Sequence, residues 1–245
     1  MKHMKALIAF VILSSFALPA MTEELEVDYI PTSQGELAIN FIGHASLMFE
    51  YRGRVIHLDP WSPMGDYASL PDADLILLTH EHIDHLDPAA IEEISTPETV
   101  LVYTESCSGL YGGGNIMRNG DTMNLFGISI EAVPAYNIHR KRTDGSLYHP
   151  KGVSNGYIIT FGDVRVYCAA ETEIIPELSD ISDIDIAFFS MNMPYNMIPE
   201  DVAEAARIVK PHILYPIHFS DSDVGSVVDL LKDEPDIEVR LRSMK

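Results

Sequence analysis

The sequence predicts a single α/β domain in which short strands outnumber helices. Its 245 residues are enough for one large hydrophobic core, and apolar residues make up 47% of the chain, a composition typical of a packed globular protein. Short apolar runs separated by Gly, Pro and Asp indicate strands and turns, and helical periodicity becomes frequent only late in the chain. We therefore expect one domain over residues 21–245.

The predicted strands follow one another from residue 37 onward, whereas residues 21–36 are expected to form an irregular lead-in. Arg52-Gly53 and Gly162-Asp163 indicate hairpin turns between neighbouring strands. The continuous apolar run Leu75–Leu78 is typical of a strand buried on both faces. Strands are predicted at Leu37–Ile42, Ser46–Tyr51, Val55–Leu58, Leu75–Leu78, Val100–Tyr103, Thr122–Leu125, Ile128–Val133, Tyr157–Phe161, Val164–Ala169, Ile184–Phe189, Ile213–Ile217 and Ile237–Leu241.

Three helices and two loops complete the pattern. A proline at an early helical position favours a helix over residues 87–94, Pro199–Val209 has one apolar face, and Asp223–Lys232 is predicted to be helical. The Gly-rich segment Ser106–Asn119 is expected to be a loop or a short helix. The polar segment Asn137–Asn155 is predicted to be a long loop, and such loops in compact domains are often functional.

The first twenty residues are typical of a secretory signal peptide. Lys2 and Lys5 give a positive start, and Ala6–Ala20 is an apolar run too short to span a bilayer comfortably. Cleavage is predicted after Ala17 or after Ala20, and an uncleaved membrane anchor is the alternative. We expect an exported protein, periplasmic or secreted, whose membrane contact is limited to this segment.

Charge and cysteine content narrow the class of protein. The chain has 37 acidic residues against 16 Lys and Arg, a formal net charge of -21, and so acidic a surface repels phosphate backbones. We therefore expect a small-molecule substrate and do not expect nucleic acid as a partner. Cys107 and Cys168 could pair in an exported protein, but Cys168 lies in an apolar strand pattern that favours a buried core residue.

The segment Thr79–His85 carries the strongest chemical signal in the sequence. It places three imidazoles and a carboxylate straight after a buried strand. In an extended stretch His80 and His82 project to the same side. Asp84 and His85 would then turn toward a second ion. Because imidazole nitrogen suits zinc and a carboxylate adds a harder ligand, the segment predicts a metal site; a solvated loop with chance histidines is the alternative.

The pattern His-x-His-x-Asp-His after an apolar strand resembles the signature of the metallo-β-lactamase superfamily. The chain looks most like the branch that includes ascorbate-phosphate lactonases and N-acylphosphatidylethanolamine phospholipase D enzymes. The resemblance implies an αββα sandwich of two mixed β-sheets flanked by helices, with the ligands on loops at one edge. It is carried further by Phe41–Ser46, Leu58–Pro60, Val133–Asn137, His149–Gly152 and Tyr215–Phe219.

The resemblance also implies a ligand set for two divalent metal ions, with zinc the expected metal. His80 and His82 would bind the first ion. Asp84, His85 and His218 would bind the second. Asp84 and His44 are the candidate catalytic residues; His44 is expected either to point into the site or to pack at a strand end. Asp59 would orient a ligand His or hold a turn.

Two positions depart from the family pattern. Glu171, in Ala-Glu-Thr, stands where the family usually has the bridging Asp of Gly-Asp-Thr, and its side chain is one methylene longer. The third His of the branch often falls where this chain has Asn137. His149, which matches a subgroup's His-Pro-Lys-Gly segment, is the expected substitute. The alternative is His139, although the neighbouring charges of residues 140–142 would oppose a dication there.

These residues together predict a metal-dependent hydrolase. A metal-activated water would attack a small ester, lactone, amide or phosphodiester, so no Ser or Cys nucleophile is needed. Flavin-linked diiron relatives usually have Glu at the position of His82, which disfavours that class. The alternative is a non-catalytic metal-binding protein that keeps the fold, for which Glu171 is the best support. The oligomeric state stays open.

Export can be tested directly on the expressed protein. We expect N-terminal sequencing of the soluble, exported fraction to begin at Leu18 or Met21, because signal peptidase removes the apolar segment. An intact chain in the membrane fraction would identify the alternative anchor. Intact Met1 on a soluble cytoplasmic protein would contradict the signal-peptide interpretation.

Overall fold

Two seven-stranded β-sheets pack face to face in the computed structural model, which describes residues 25–245. The predicted signal segment lies outside the described residues. The first sheet has the order β1 to β7 along the chain: β1 (Glu26–Thr32), β2 (Gly35–Gly43), β3 (Ser46–Tyr51), β4 (Arg54–Leu58), β5 (Leu75–Leu77), β6 (Val100–Tyr103) and β7 (Asn115–Ile116). In the second sheet, too, strands that follow one another along the chain are neighbours: β8 (Thr122–Leu125), β9 (Ile128–Ala135), β10 (Ser154–Phe161), β11 (Val164–Cys168), β12 (Ile186–Ser190), β13 (Ile213–Ile217) and β14 (Glu238–Val239).

Both sheets are mixed in the same way. Strands β1 to β4 and β8 to β11 are antiparallel neighbours, joined by short turns except for the long loop between β9 and β10. From β4 to β7 and from β11 to β14 each neighbouring pair is parallel. Parallel strands need crossover connections, and these carry the three helices and most of the site loops. The long loop that carries His149 lies instead between the antiparallel strands β9 and β10.

Three α-helices cover the outer faces of the sandwich: α1 (Pro88–Ile94), α2 (Pro199–Val209) and α3 (Gly225–Leu231). Helix α1 packs with Ile76 and Leu78 on the first sheet, and α2 and α3 pack with Phe189 on the second. The predicted αββα sandwich is therefore confirmed. Across residues 25–245, no helix combines the length and the apolar character needed to cross a bilayer.

The sequence predictions are wrong mainly at the sheet edges. Residues 26–32, expected to be irregular, form strand β1, which pairs antiparallel with β2; the strand is half exposed, so it lacks a clear apolar alternation. Part of the Gly-rich segment forms the two-residue strand β7 against β6. The last strand covers only Glu238–Val239 instead of 237–241.

The core between the sheets is built on stacked aromatic rings. Phe188 lies flat on Tyr215 with 5.0 Å between ring centroids, and Phe41 and Phe49 contact Phe188 from the opposite sheet at 6.3 Å. All four side chains are at most 3% exposed. Among the described residues Cys107 and Cys168 form no disulfide, and both are buried.

Removing the central ring tests this packing. We expect Phe188→Ala to lower the free energy of unfolding by about 3–5 kcal/mol, because the cavity left between two rigid sheets cannot close fully. Val228→Ala, at a side chain that is 42% exposed, is the control and should change stability by less than about 0.5 kcal/mol. Urea denaturation followed by fluorescence gives both values, and equal midpoints for Phe188→Ala and the wild type would contradict the packing described here.

Candidate metal centre

The predicted site residues converge at one edge of the sandwich, where strands from both sheets end. The motif that begins at His80 follows β5 of the first sheet. Glu171 and His218 follow β11 and β13 of the second. Because β5, β11 and β13 all belong to the parallel parts of their sheets, their carboxyl ends share this edge. His149 comes from the long loop that precedes β10.

Four residues at these strand ends have left-handed backbone conformations. His44, Asp59, Ala170 and His218 have φ values of 57°, 45°, 57° and 48°. Such conformations cost about 1–3 kcal/mol each in residues with a Cβ and persist only where the surrounding structure enforces them. Here the two sheets enforce them together, for example through the 2.9 Å hydrogen bond that His218 N–H donates to the His44 carbonyl.

A first group of ligand atoms comprises three imidazoles and one carboxylate oxygen, all within 4.8 Å of one another. His80 Nε2 lies 3.0 Å from His82 Nδ1. His149 Nε2 lies 3.4 Å from His82 Nδ1 and 2.5 Å from Glu171 Oε2. His139, the alternative third histidine, is exposed and belongs to none of the ligand groups.

A second group lies directly beside the first. His218 Nε2 is 3.4 Å from Glu171 Oε1 and 3.6 Å from Asp84 Oδ2. His85 Nε2 is 3.8 Å from the same Asp84 oxygen. The motif reaches both groups because His85 N–H donates to the His82 carbonyl at 2.9 Å, which turns the chain between them.

Glu171 stands between the two groups with one oxygen toward each. It is 3% exposed, and Oε2 faces His80 and His149 while Oε1 faces His218. Asn196 Nδ2 donates a 3.1 Å hydrogen bond to Oε1. The longer side chain of Glu therefore still delivers a carboxylate to the position between the groups, from a backbone that turns at Ala170.

Outer partners determine which nitrogen of two histidines faces the centre. Asp59 Oδ2 lies 2.8 Å from His85 Nδ1, and Asn137 Oδ1 lies 3.0 Å from His149 Nδ1. Both oxygens are acceptors, so each Nδ1 carries the proton and each Nε2 keeps a lone pair for a metal. Asn137, which stands where the branch often has its third His, thus orients His149, the histidine expected to take over that role.

The donor set fits a pair of divalent metal ions. His85 Nε2 and His218 Nε2 are buried and have no hydrogen-bond partner among the described residues. Buried polar atoms are rarely left without one, and both of these atoms point at the carboxylates of the centre. Imidazole with carboxylate is a donor set that zinc and similar ions accept.

Most of the pKa shifts favour the protonation state that binds metal. His218 is the exception: burial would lower its pKa, but the charges of Glu171 and Asp84 raise it. Burial lowers the pKa of His80 and His82 to about 4 and that of His85 to about 3. Burial alone would raise the pKa of Glu171, but the charges of His149 and His218 outweigh it and hold the pKa well below its usual range. The pKa of Asp84 is lowered in the same way: burial would raise it, but the neighbouring imidazoles of His218 and His44 outweigh burial. Neutral imidazoles and ionised carboxylates are the metal-binding forms.

A cavity of about 690 Å³ opens above the centre. His44 lies on its wall, with Nε2 3.3 Å from Asp84 Oδ2 and its ring 3.6 Å from that of His218. Tyr195 lines the cavity and is 41% exposed. Trp61 also lines it, at 4.7 Å from the His44 ring.

Sequence reasoning missed the carboxylate that holds the His149 loop. Glu173 accepts backbone hydrogen bonds from Ile138, His139 and Arg140 at 3.1, 2.8 and 2.6 Å, and Asn137 Nδ2 donates to it at 3.2 Å. It is 5% exposed. Its place two residues after Glu171, directly behind a predicted strand, was the available signal.

Comparison with known proteins identifies the family. Residues 38–218 match the family model described as "Beta-lactamase superfamily domain", and the chain belongs to this superfamily. It is also similar to a UPF0173 metal-dependent hydrolase of Enterococcus faecalis, with 30% identity over 199 residues that cover 74% of this chain and 87% of the relative.

Solved structures support the same assignment. A crystal structure from Parabacteroides distasonis, provisionally assigned as a metal-dependent hydrolase, shares 45% identity with a TM-score of 0.87 and covers 91% of this chain and 100% of that one. A metallo hydrolase of Ignicoccus hospitalis shares the fold, with a TM-score of 0.69, 22% identity and coverage of 84% and 94%. The predicted superfamily, fold and enzyme class are thereby confirmed.

Replacing Asp59 by Asn tests how His85 is oriented. One carboxylate oxygen becomes an NH2 donor, which must face either the Thr79 N–H, bonded at 2.8 Å, or His85 Nδ1. We therefore expect Asp59→Asn to weaken the binding of the second ion by roughly 10–100-fold. Competition of zinc binding against a chromophoric chelator measures the effect. Asp66→Asn, at an exposed aspartate, is the control, and equal affinities for both variants would show that Asp59 only holds a turn.

Proposed function

We propose that the protein is a hydrolase that uses two divalent metal ions, zinc foremost, to cleave a small ester, lactone, amide or phosphodiester. The observation that carries the proposal is the buried Glu171 carboxylate, whose two oxygens face two separate groups of ligand atoms. In this proposal Glu171 bridges the ions, and Asp84 is a ligand on the cavity side. The ligands are His80, His82, His149 and Glu171 for the first ion, and Asp84, His85, His218 and Glu171 for the second.

The bound ions would lower the pKa of a water molecule and polarise the oxygen that it attacks. The chain's own residues supply what this chemistry needs around it. The loop that carries His149 and the strand end that carries His218 hold their imidazoles in fixed positions, because each is buried and hydrogen-bonded. A rigid arrangement of this kind lowers the entropic cost of reaching the transition state.

Proton transfer falls to His44 and Asp84. His44 Nε2 and Asp84 Oδ2 are 3.3 Å apart, so a proton at Nε2 is shared between them. Both residues line the cavity, and an oxygen or nitrogen leaving group held there could receive that proton from His44.

Metal content and hydrolysis together test the proposal. We expect about two equivalents of zinc in the wild type, turnover of at least one generic ester or phosphodiester, and loss of both the second equivalent and turnover in Glu171→Gln, which keeps the shape and removes the charge. Elemental analysis and a chromogenic substrate screen give the readouts.

The two candidate histidines provide a matched pair of variants. His149→Ala should lose zinc and activity, whereas His139→Ala, at an exposed position outside every ligand group, should retain both. Full zinc content without any turnover would favour the non-catalytic metal-binding alternative. No zinc after growth in zinc-supplemented medium, together with no thermal shift on adding zinc, would contradict the proposal.

A further inference from the structure

Besides its histidines, the wall of the cavity contains one Arg or Lys side chain among the described residues, Arg142. Its Nη2 lies 3.5 Å from His82 Nε2, the ring nitrogen on the far side of the imidazole from the ligand groups. If His82 Nδ1 faces a metal, neutral His82 carries its proton at Nε2. Two donors then face each other, so this contact is not a hydrogen bond in the metal-bound protein, and the guanidinium is left without an acceptor there.

Arg142 differs from the other arginines in its charge environment. Seven of the nine arginines pair with a carboxylate: Arg54, Arg118, Arg140, Arg165, Arg207, Arg240 and Arg242. Within residues 25–245 Arg142 makes no such pair, although the chain has 37 acidic residues. The other exception, Arg52, donates to the Gln34 side chain at 2.8 Å. Arg142 is exposed, and its charge helps to lower the pKa of Asp144, after the hydrogen bonds from Ser146; no carboxylate forms an ion pair with it, so its guanidinium can pair with an anion that enters the cavity.

The loop presents Arg142 in a defined orientation. Its Nη2 donates to the Tyr148 carbonyl at 3.3 Å, and its guanidinium carbon lies 5.0 Å from the Tyr148 ring centroid. Around it the loop folds into a tight hairpin, because Arg142 N–H donates to the Ser146 carbonyl at 2.7 Å. Glu173 fixes the base of this hairpin through the backbone amides described above. Nε and Nη1 have no acceptor within residues 25–245, so they are free to donate to a ligand.

Large exposed apolar side chains also line the cavity, beside polar residues such as Asn192 and Ser220. Ile83, Met193 and Tyr195 are 66%, 43% and 41% exposed, and Trp61 lies on the same wall. Large exposed apolar side chains gathered at one cavity indicate a ligand with an apolar part. The cavity thus combines three features: the ligand groups, the guanidinium of Arg142 on the other side of the His82 ring, and several exposed apolar side chains.

We propose, building on the hydrolase function above, that the substrate is a small amphiphilic anion. A carboxylate or phosphate group, separate from the bond that is cleaved, pairs with Arg142, and an apolar portion packs on Trp61 and Tyr195. The His82 ring lies between Arg142 and the metal centre. The anionic group of the substrate would therefore be a few bonds away from the bond that is cleaved. Guanidinium is well suited to this role, because its planar N–H donors match carboxylate and phosphate oxygens.

Ligand binding without turnover tests the inference. The zinc-loaded wild type is titrated by calorimetry with phenylacetate, with phenylphosphonate and with the neutral phenylacetamide. We expect at least one anion to bind more tightly than the amide, and Arg142→Ala to weaken that anion by about tenfold, the effect of losing a charged hydrogen bond at an exposed site. The amide should be unaffected. The anion with the larger loss identifies carboxylate or phosphate as the recognised group.

Two further variants control the measurement. Arg142→Lys keeps the charge and should retain part of the affinity, with a difference that shrinks as salt is added. Arg52→Ala removes the other unpaired arginine, which is absent from the cavity wall, and should behave as wild type. Any direct contact of the anions with zinc persists in Arg142→Ala, so only the difference between the proteins is assigned to Arg142.

Two results would overturn the inference: equal anion affinity in wild type and Arg142→Ala, or an equal loss for anions and amide, which would give Arg142 a packing role on Tyr148. Neither result depends on hydrolysis. If the protein hydrolyses esters but shows one of these two binding results, the proposed function stands and only the inference about Arg142 fails. If no tested ester is cleaved, a selective loss of anion binding in Arg142→Ala still supports the inference about Arg142.

Discussion

The Glu171 carboxylate is the constraint on which the rest of the site depends. It is almost fully buried among imidazoles from both sheets, and a buried charge without partners would be strongly destabilising. His80, His149 and His218 in turn share this carboxylate as their common partner. Residues around the centre orient these groups: Asp59 contacts His85, and Asn196 donates a hydrogen bond to Glu171.

Strand ends that turn sharply make this convergence possible. A β-strand alone would carry a side chain onward along the sheet, away from its edge. His44, Asp59, Ala170 and His218 instead take left-handed conformations, which bring the chain back across the edge within one residue. The local cost is offset by the aromatic core beneath, where Phe41 and Phe49 of the first sheet pack on Phe188 of the second. Packing far from the chemistry thus determines the geometry of the ligands.

The sequence could predict what is contiguous and could not predict what is assembled from distant segments. The motif from His80 to His85 is readable because its ligands follow one another, and strands within the sheets are readable because burial gives them an apolar pattern. Strand β1 was missed because none of its residues is buried, so its sequence shows no apolar alternation, and only its pairing with β2 makes it a strand. Glu173 was missed because its partners lie more than thirty residues away. Residues 140–142 looked alike as a basic run, but folding pairs Arg140 with Asp201 and turns Arg142 to the cavity.

The contribution of ligands from both sheets has a consequence for how the protein matures. His80 to His85 belong to the first sheet, whereas His149, Glu171 and His218 belong to the second. A complete set of ligands therefore exists only after the two halves of the chain have docked, and metal capture becomes a late event in folding. Since affinity alone favours some divalent ions over others whatever the enzyme needs, the ion that is taken up depends on the supply in the compartment where folding is completed.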